Sequence, residues 1–220
     1  MPTTPTTVLG PEAVDALRPG VDGQPCGLRE RKKKATRRAL HEAALRLVAE
    51  HGLDAVTTED IAVAADVSAR TFFNYFPSKD AAVIGLAPDL PERLAGAVRA
   101  RPASEDVLAS TTTVVTAAVA HLEADALRPQ RRAIIARDHR LASAMMGATR
   151  EVEAALTDAA LERASDGPEA ALRARVTVAA VMSATRVAVL HHRSSDADSD
   201  GDLVEVLRSA HALLASGLAD

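Results

Sequence analysis

Apolar positions along this chain recur at helical spacing almost throughout, and the strict alternation of a strand is absent. The first periodic stretch runs from about Ala35 to His51, with Leu40, Ala43, Ala44, Leu47 and Val48 on one stripe and Gly52 placed to end it as a left-handed cap. A second helix is predicted from Thr57-Thr58-Glu59-Asp60, where Thr57 and Asp60 have the spacing of a capping box and Ile61, Ala62 and Ala65 face inward. Asp66-Val67 makes a turn, because Asp tolerates the left-handed conformation better than most residues. A short third helix then starts at Ser68, a good N-cap, and is stopped by Pro77. Three short helices with a tight turn between the last two form a helix-turn-helix.

Beyond this module the periodicity continues from Ser78, breaks near Pro88 and Pro91, and resumes over 92–101, 105–127, 130–141 and 143–164. Val176 to Leu190 is apolar on every face apart from Arg186 and a few hydroxyls, too short to span a bilayer, and so predicted to bury one side in the core and the other against a second subunit. Leu203 to Leu218 is the last helix, with Leu203, Val206, Leu207, Ala210, Leu213 and Leu214 as its stripe. The predicted fold class is all-α. A tail (1–27) holding five prolines and four glycines is expected to be disordered, followed by a helix-turn-helix domain (28–80) and a larger helical body (81–220).

Composition sharpens one stretch. The chain has three Phe, one Tyr and no Trp in 220 residues, and all four rings fall in Phe72, Phe73, Tyr75 and Phe76. On a helix Phe72 and Phe76 share a face with Ala69, Arg70, Thr71 and Asn74 lie opposite, and Phe73 and Tyr75 project from the flanks. A short helix apolar beneath and polar above suits the DNA major groove. Charge agrees: the net of −4 divides into −2 over residues 1–27, +3 over 28–79 and −5 over 80–220. The run Arg29 to Arg38 carries seven bases in ten residues and is read as an arm meeting phosphate or the minor groove, with Lys33, Lys34 and Arg37 as its contacts.

The segment Thr36 to Lys79, with HGLDAVTTEDIA followed by AADVSARTFFNYFPSKD, resembles the DNA-binding domain of TetR/AcrR-type bacterial transcriptional regulators, over about a fifth of the chain. Asp66 stands where that family usually has Gly, and Phe73 where it often has Tyr, which removes a hydroxyl for phosphate and leaves Phe73 to pack on sugar. The resemblance assigns base reading to Ser68, Arg70, Thr71 and Asn74, and phosphate contacts to Thr58, Tyr75 and Lys79. It also implies a dimer through the last two helices, a palindromic operator on double-stranded DNA and a small-molecule effector held in the body. With no aromatic residue after Phe76, the walls of that pocket must be aliphatic, which favours an aliphatic or acyl ligand. Met145, Met146, His121, His139 and Arg186 are the candidate lining. For Arg186 a structural ion pair with an internal acid such as Glu151 is at least an equal alternative, and a lone His on a helix is more often a packed or surface residue.

Other chemistry finds little support. One cysteine, Cys26, excludes an intrachain disulfide and a Cys-based zinc site and suits a reducing, cytoplasmic location. There is no secretory signal pattern and no apolar run long enough for a membrane span. Asp196 to Leu207 imitates a calcium loop, yet its twelfth position, Leu207, withholds the closing carboxylate, so the loop is read as a connector. His191-His192 lack further ligands for zinc, His41-Glu42 is followed by Leu45 where a zinc protease needs His, and Asp138, His139 and Ser143 on one helix make no triad geometry. No cofactor and no enzymatic activity are expected. The alternative is a helical enzyme or small-molecule carrier with a basic attachment.

Overall fold

The structure is a computed structural model that describes residues 28–194 and 202–217. The expected tail and most of the calcium-like loop lie outside the described residues. Among the described residues every regular element is an α-helix, and they divide into two compact units.

The first unit comprises residues 28–90 and 124–150. Its helix α1 (Leu28–His51) begins well before the expected Ala35, so the basic run is helical rather than an extended arm. The first two turns are exposed at Arg29, Arg31, Lys32, Lys33 and Lys34, and the stripe buries only from Leu40 onward. Gly52, at φ 82°, closes the helix by donating its amide to the Val48 carbonyl at 2.9 Å. Helix α2 (Thr58–Ala64) carries the expected box: the Asp60 amide donates to Thr57 Oγ1 at 3.1 Å and the Thr57 amide to Asp60 Oδ2 at 2.9 Å. Asp66 turns the chain at φ 56°, and Val67 donates back to the Ala62 carbonyl.

Helix α3 (Ala69–Phe73) is capped by Ser68, whose hydroxyl accepts from the Thr71 amide at 3.1 Å. It ends at Phe73, with Asn74 as its C-cap, three residues before the pre-proline position Phe76. Ser78 caps α4 (Lys79–Ile84), and Gly85 terminates it at φ 73°. Helix α1 packs on α2, α4 and α7 (Arg128–Arg137), α4 also packs on α7, and α2 packs on α3. Ile134 of α7 and Leu141 join the same core as Leu40, Phe72, Phe76 and Val83, so the unit holding the helix-turn-helix takes in more chain than residues 28–80. The extension was not legible locally because its two parts meet only through tertiary packing.

Helix α7 stops at Asp138, short of the expected 141, and α8 (His139–Arg163) starts at once. The Asp138 carboxylate accepts the Arg140 amide at 2.8 Å and pairs with its guanidinium at 3.0 Å, which holds its pKa down at about 2. The same guanidinium reaches Asp54 at 2.6 Å, fixing the loop after α1.

The second unit comprises residues 91–123, 151–194 and 202–217. Helix α5 (Leu90–Arg99) accepts Pro91 in its first turn, where no amide bond is lost. Helix α6 (Val107–Glu123), α9 (Pro168–Ser194) and α10 (Leu203–Ala215) pack on one another. Helix α9 starts earlier than the apolar run does and buries Ala174, Val178, Val181, Met182 and Ala188, while Leu172, Val176, Val187 and Leu190 stay exposed. On α10 the buried set is Leu203, Val204, Leu207 and His211, and Leu213, expected in the stripe, faces out. His211 is held between α6 and α9: Thr116 Oγ1 lies 3.3 Å from Nδ1 and Thr185 Oγ1 3.2 Å from Nε2. Burial pushes its pKa below the ordinary histidine range. Arg99 bridges Glu92 and Glu162, and Arg163 donates to the carbonyls of Arg101, Pro102 and Glu105, tying α8 to the turn before α6.

Candidate nucleic-acid interface

Phe72 and Phe76 are wholly buried beneath α3, their rings 6.1 Å apart. Burying a phenylalanine contributes up to about 3 kcal/mol, so this pair seats a helix too short to persist alone. What remains outward is polar: Ser68, Arg70 and Asn74 are exposed and Thr71 is half-buried. The Ser68 and Thr71 hydroxyls lie 2.8 Å apart, so they satisfy each other as well as capping the helix. Arg70 and Asn74, four residues apart, stand on one side of the helix.

The exposed start of α1 forms a wall beside this helix. Leu28, Arg29, Lys32 and Lys33 on one side and Thr71, Asn74 and Tyr75 on the other enclose an open cleft of about 970 Å³. Of the three expected arm residues Lys33 lines the cleft, and Lys34 is exposed nearby on the same helix. Lys32 and Arg29 were missed individually. Only the register of a helical run shows which bases turn toward α3.

Arg37 requires a correction. Its guanidinium donates to the carbonyls of Tyr75 at 3.0 Å, Gly85 at 3.4 Å and Leu86, and its Cζ lies 4.2 Å from the centre of the Phe76 ring. It is a brace inside the unit, because carbonyls at the ends of short helices need donors where the chain folds back. One turn on, His41 is 6% exposed, with Nδ1 2.7 Å from the Ala82 carbonyl. Burial lowers its pKa, as do the nearby charges of Arg131 and Arg37, while the bond to Ala82 and the charge of Asp125 oppose the shift. A four-residue repeat of Arg and His on the apolar side of α1 was the available signal. Lys79 also differs from expectation: its ammonium donates to the carbonyls of Leu53 at 2.7 Å and Val56 at 3.0 Å, stitching α4 to the loop before α2 rather than standing free for phosphate. Thr58 is half-buried and donates its hydroxyl to Glu59.

The expected ligand residues fare differently. His121, His139, Met146 and Arg186 are exposed, and Met145 is half-buried. Arg186 donates to Ser183 Oγ at 2.7 Å, one turn earlier on its own helix. Glu151, its proposed partner, is exposed too. Helical register turns these side chains away from the interior of their own units, which spacing on an all-round apolar helix could not reveal. Among the described residues no three His, Cys, Asp or Glu side chains are grouped to hold a metal ion, and no single helix is long and apolar enough to cross a membrane.

Residues 40–83 match the family described as "Bacterial regulatory proteins, tetR family". The chain is 39% identical over 82 residues to the HTH-type transcriptional regulator TcmR of Streptomyces glaucescens, a stretch that makes up 37% of this chain and 36% of that protein. The match thus spans only about a third of the relative's length. The fold is similar to that of a TetR-family regulator from Streptomyces coelicolor, with a TM-score of 0.54 at 20% identity, covering 88% of this chain and all of the other. A TetR-family structure from Mesorhizobium loti aligns at a TM-score of 0.50 and 17% identity over 85% of this chain and 96% of its own. Residues 40–83 thus carry the helix-turn-helix of that family, and the fold of most of the chain is similar to that of solved TetR-family proteins.

Proposed function

We propose that the protein is a ligand-responsive, DNA-binding transcriptional regulator, a dimeric repressor that leaves a palindromic operator when a small molecule binds its helical body. The carrying observation is the α3 surface, where buried Phe72 and Phe76 hold Arg70 and Asn74 out into solvent. Arg70 has the planar fork that fits guanine O6 and N7, and Asn74 the amide that fits adenine. The cleft beside α3, lined by Arg29, Lys32 and Lys33, has the charge to follow a phosphate strand. The apolar side of α9, with Leu172, Val176, Val187 and Leu190 each about three-fifths exposed, supports pairing with a second copy. A two-fold pair would space the two reading helices about 34 Å apart, one turn of duplex. A body with no ring after Phe76 favours an aliphatic or acyl effector, and a DNA partner favours a cytoplasmic location.

The test is fluorescence anisotropy with palindromic duplexes selected from a random pool, across a salt series. A regulator binds the selected palindrome far more tightly than its scrambled version, with affinity falling by about 0.9 logarithmic units per phosphate contact for each tenfold rise in salt. Arg70→Ala should weaken the selected duplex much more than the scrambled one. Equal loss on both refutes base reading by Arg70, and equal wild-type affinity for both favours the carrier reading.

A further inference from the structure

Phe73 is used neither by the core nor by the polar reading face. It is 54% exposed, although Phe72 and Phe76 already fill the space beneath α3. Its ring stands edge-on to Phe72 at 5.3 Å and 87°, an arrangement that fixes its direction without hiding its outer face. On the helix surface it follows Arg70 by three residues and precedes Asn74, so it adjoins the guanidinium proposed to read guanine. A benzene ring neither donates to a phosphate oxygen nor bonds the polar atoms of a base edge. In the major groove the apolar protrusion available to it is the C5-methyl group of thymine.

Resting on the DNA-binding reading above, we infer that Phe73 is a specificity-determining residue that packs its exposed ring on a thymine methyl beside the base read by Arg70. The charge around it fits such a polyanionic partner, since Arg29, Arg31, Lys32, Lys33 and Arg70 are exposed in the same unit. The deoxyribose carbons are the other apolar surface of a duplex. They are present in every sequence, whereas the methyl group is lost when thymine is replaced by deoxyuridine.

The experiment uses the full chain and a selected operator, with each thymine replaced in turn by deoxyuridine in both half-sites. At one position wild-type affinity should fall about fourfold per methyl group removed, hence about fifteenfold for the pair. Phe73→Ala should bind the thymine duplex correspondingly less well and show no preference between thymine and deoxyuridine there, while Phe73→Leu should keep part of the preference. Wild-type indifference to deoxyuridine at every thymine overturns the inference and points to the sugar contact instead. An unchanged preference in a folded Phe73→Ala protein, checked by circular dichroism, overturns it as well. Wild-type indifference needs no variant, so it overturns the inference even where Phe73→Ala misfolds, and there Phe73→Leu carries the assignment to this ring. If selection yields no preferred duplex at all, the DNA-binding reading fails and this inference with it. A preferred duplex with silent deoxyuridine replacements removes this inference alone.

Discussion

The contact between Gly85 and His41 is the sharpest stability test the fold offers. Gly85 ends α4 at φ 73°, and a Cβ added there would meet the His41 ring at 2.4 Å from Cε1, 2.6 Å from Nδ1 and 2.7 Å from Nε2. An alanine in that left-handed conformation costs about 1–2 kcal/mol by itself. The ring cannot swing into solvent, because it is 6% exposed and holds the Ala82 carbonyl. Displacing it leaves that carbonyl unpaired, for about 1–3 kcal/mol more. Gly85→Ala should therefore destabilise the first unit by about 2–5 kcal/mol, measured by urea unfolding. Tyr75 is the only tyrosine in a chain without tryptophan, so its fluorescence reports this unit selectively. In a His41→Ala background the ring is gone, and Gly85→Ala should then cost only the backbone strain. The cycle should give a coupling of about 2 kcal/mol, and a value below about 0.5 kcal/mol, the ordinary scatter for independent sites, refutes the contact.

Arg37→Lys keeps the charge but loses the three-carbonyl brace, so it should lower the urea midpoint reported by Tyr75 while leaving the slope of DNA affinity against salt unchanged; a phosphate-contacting arginine would behave oppositely when replaced by alanine, reducing that slope by about 0.9. His41 has a folded pKa depressed below its ordinary 6.5, so at falling pH the unfolded chain takes up a proton that the folded one resists. Stability should be full above about pH 7 and decline as pH falls through 6.5 toward the folded value; His41→Gln, which can still donate to Ala82, should flatten that decline in urea titrations at successive pH values. Val187→Glu on the exposed side of α9 should shift the protein from dimer to monomer in light scattering, with little change in helix content, because the side chain touches no core of its own chain.

Much of the helix-turn-helix could be read from residues alone. Capping is local chemistry, so Thr57 with Asp60, Ser68 and Gly52 act where the sequence places them. The same holds for the burial of Phe72 and Phe76, since four-residue spacing puts two rings on one face whatever they pack against. The exposure of the candidate ligand residue Arg186 was not legible for the converse reason. A helix apolar all round carries no sign of which side is covered, and only packing decided that Val178 and Val181 go inward while Val187 and Leu190 go outward.

What the amino-acid order determined by itself was therefore the helical class, the caps, the turn at Asp66 and the family resemblance of the helix-turn-helix, each carried by residues close together along the chain. Tertiary structure alone decided the work of the charged groups. Lys79 stitches the loop carbonyls of Leu53 and Val56, 26 and 23 residues before it. Arg37 looked identical to its basic neighbours until folding brought Tyr75 and Gly85 to it from 38 and 48 residues away. A cation's role depends on which acceptors come within reach, and those acceptors are distant along the chain.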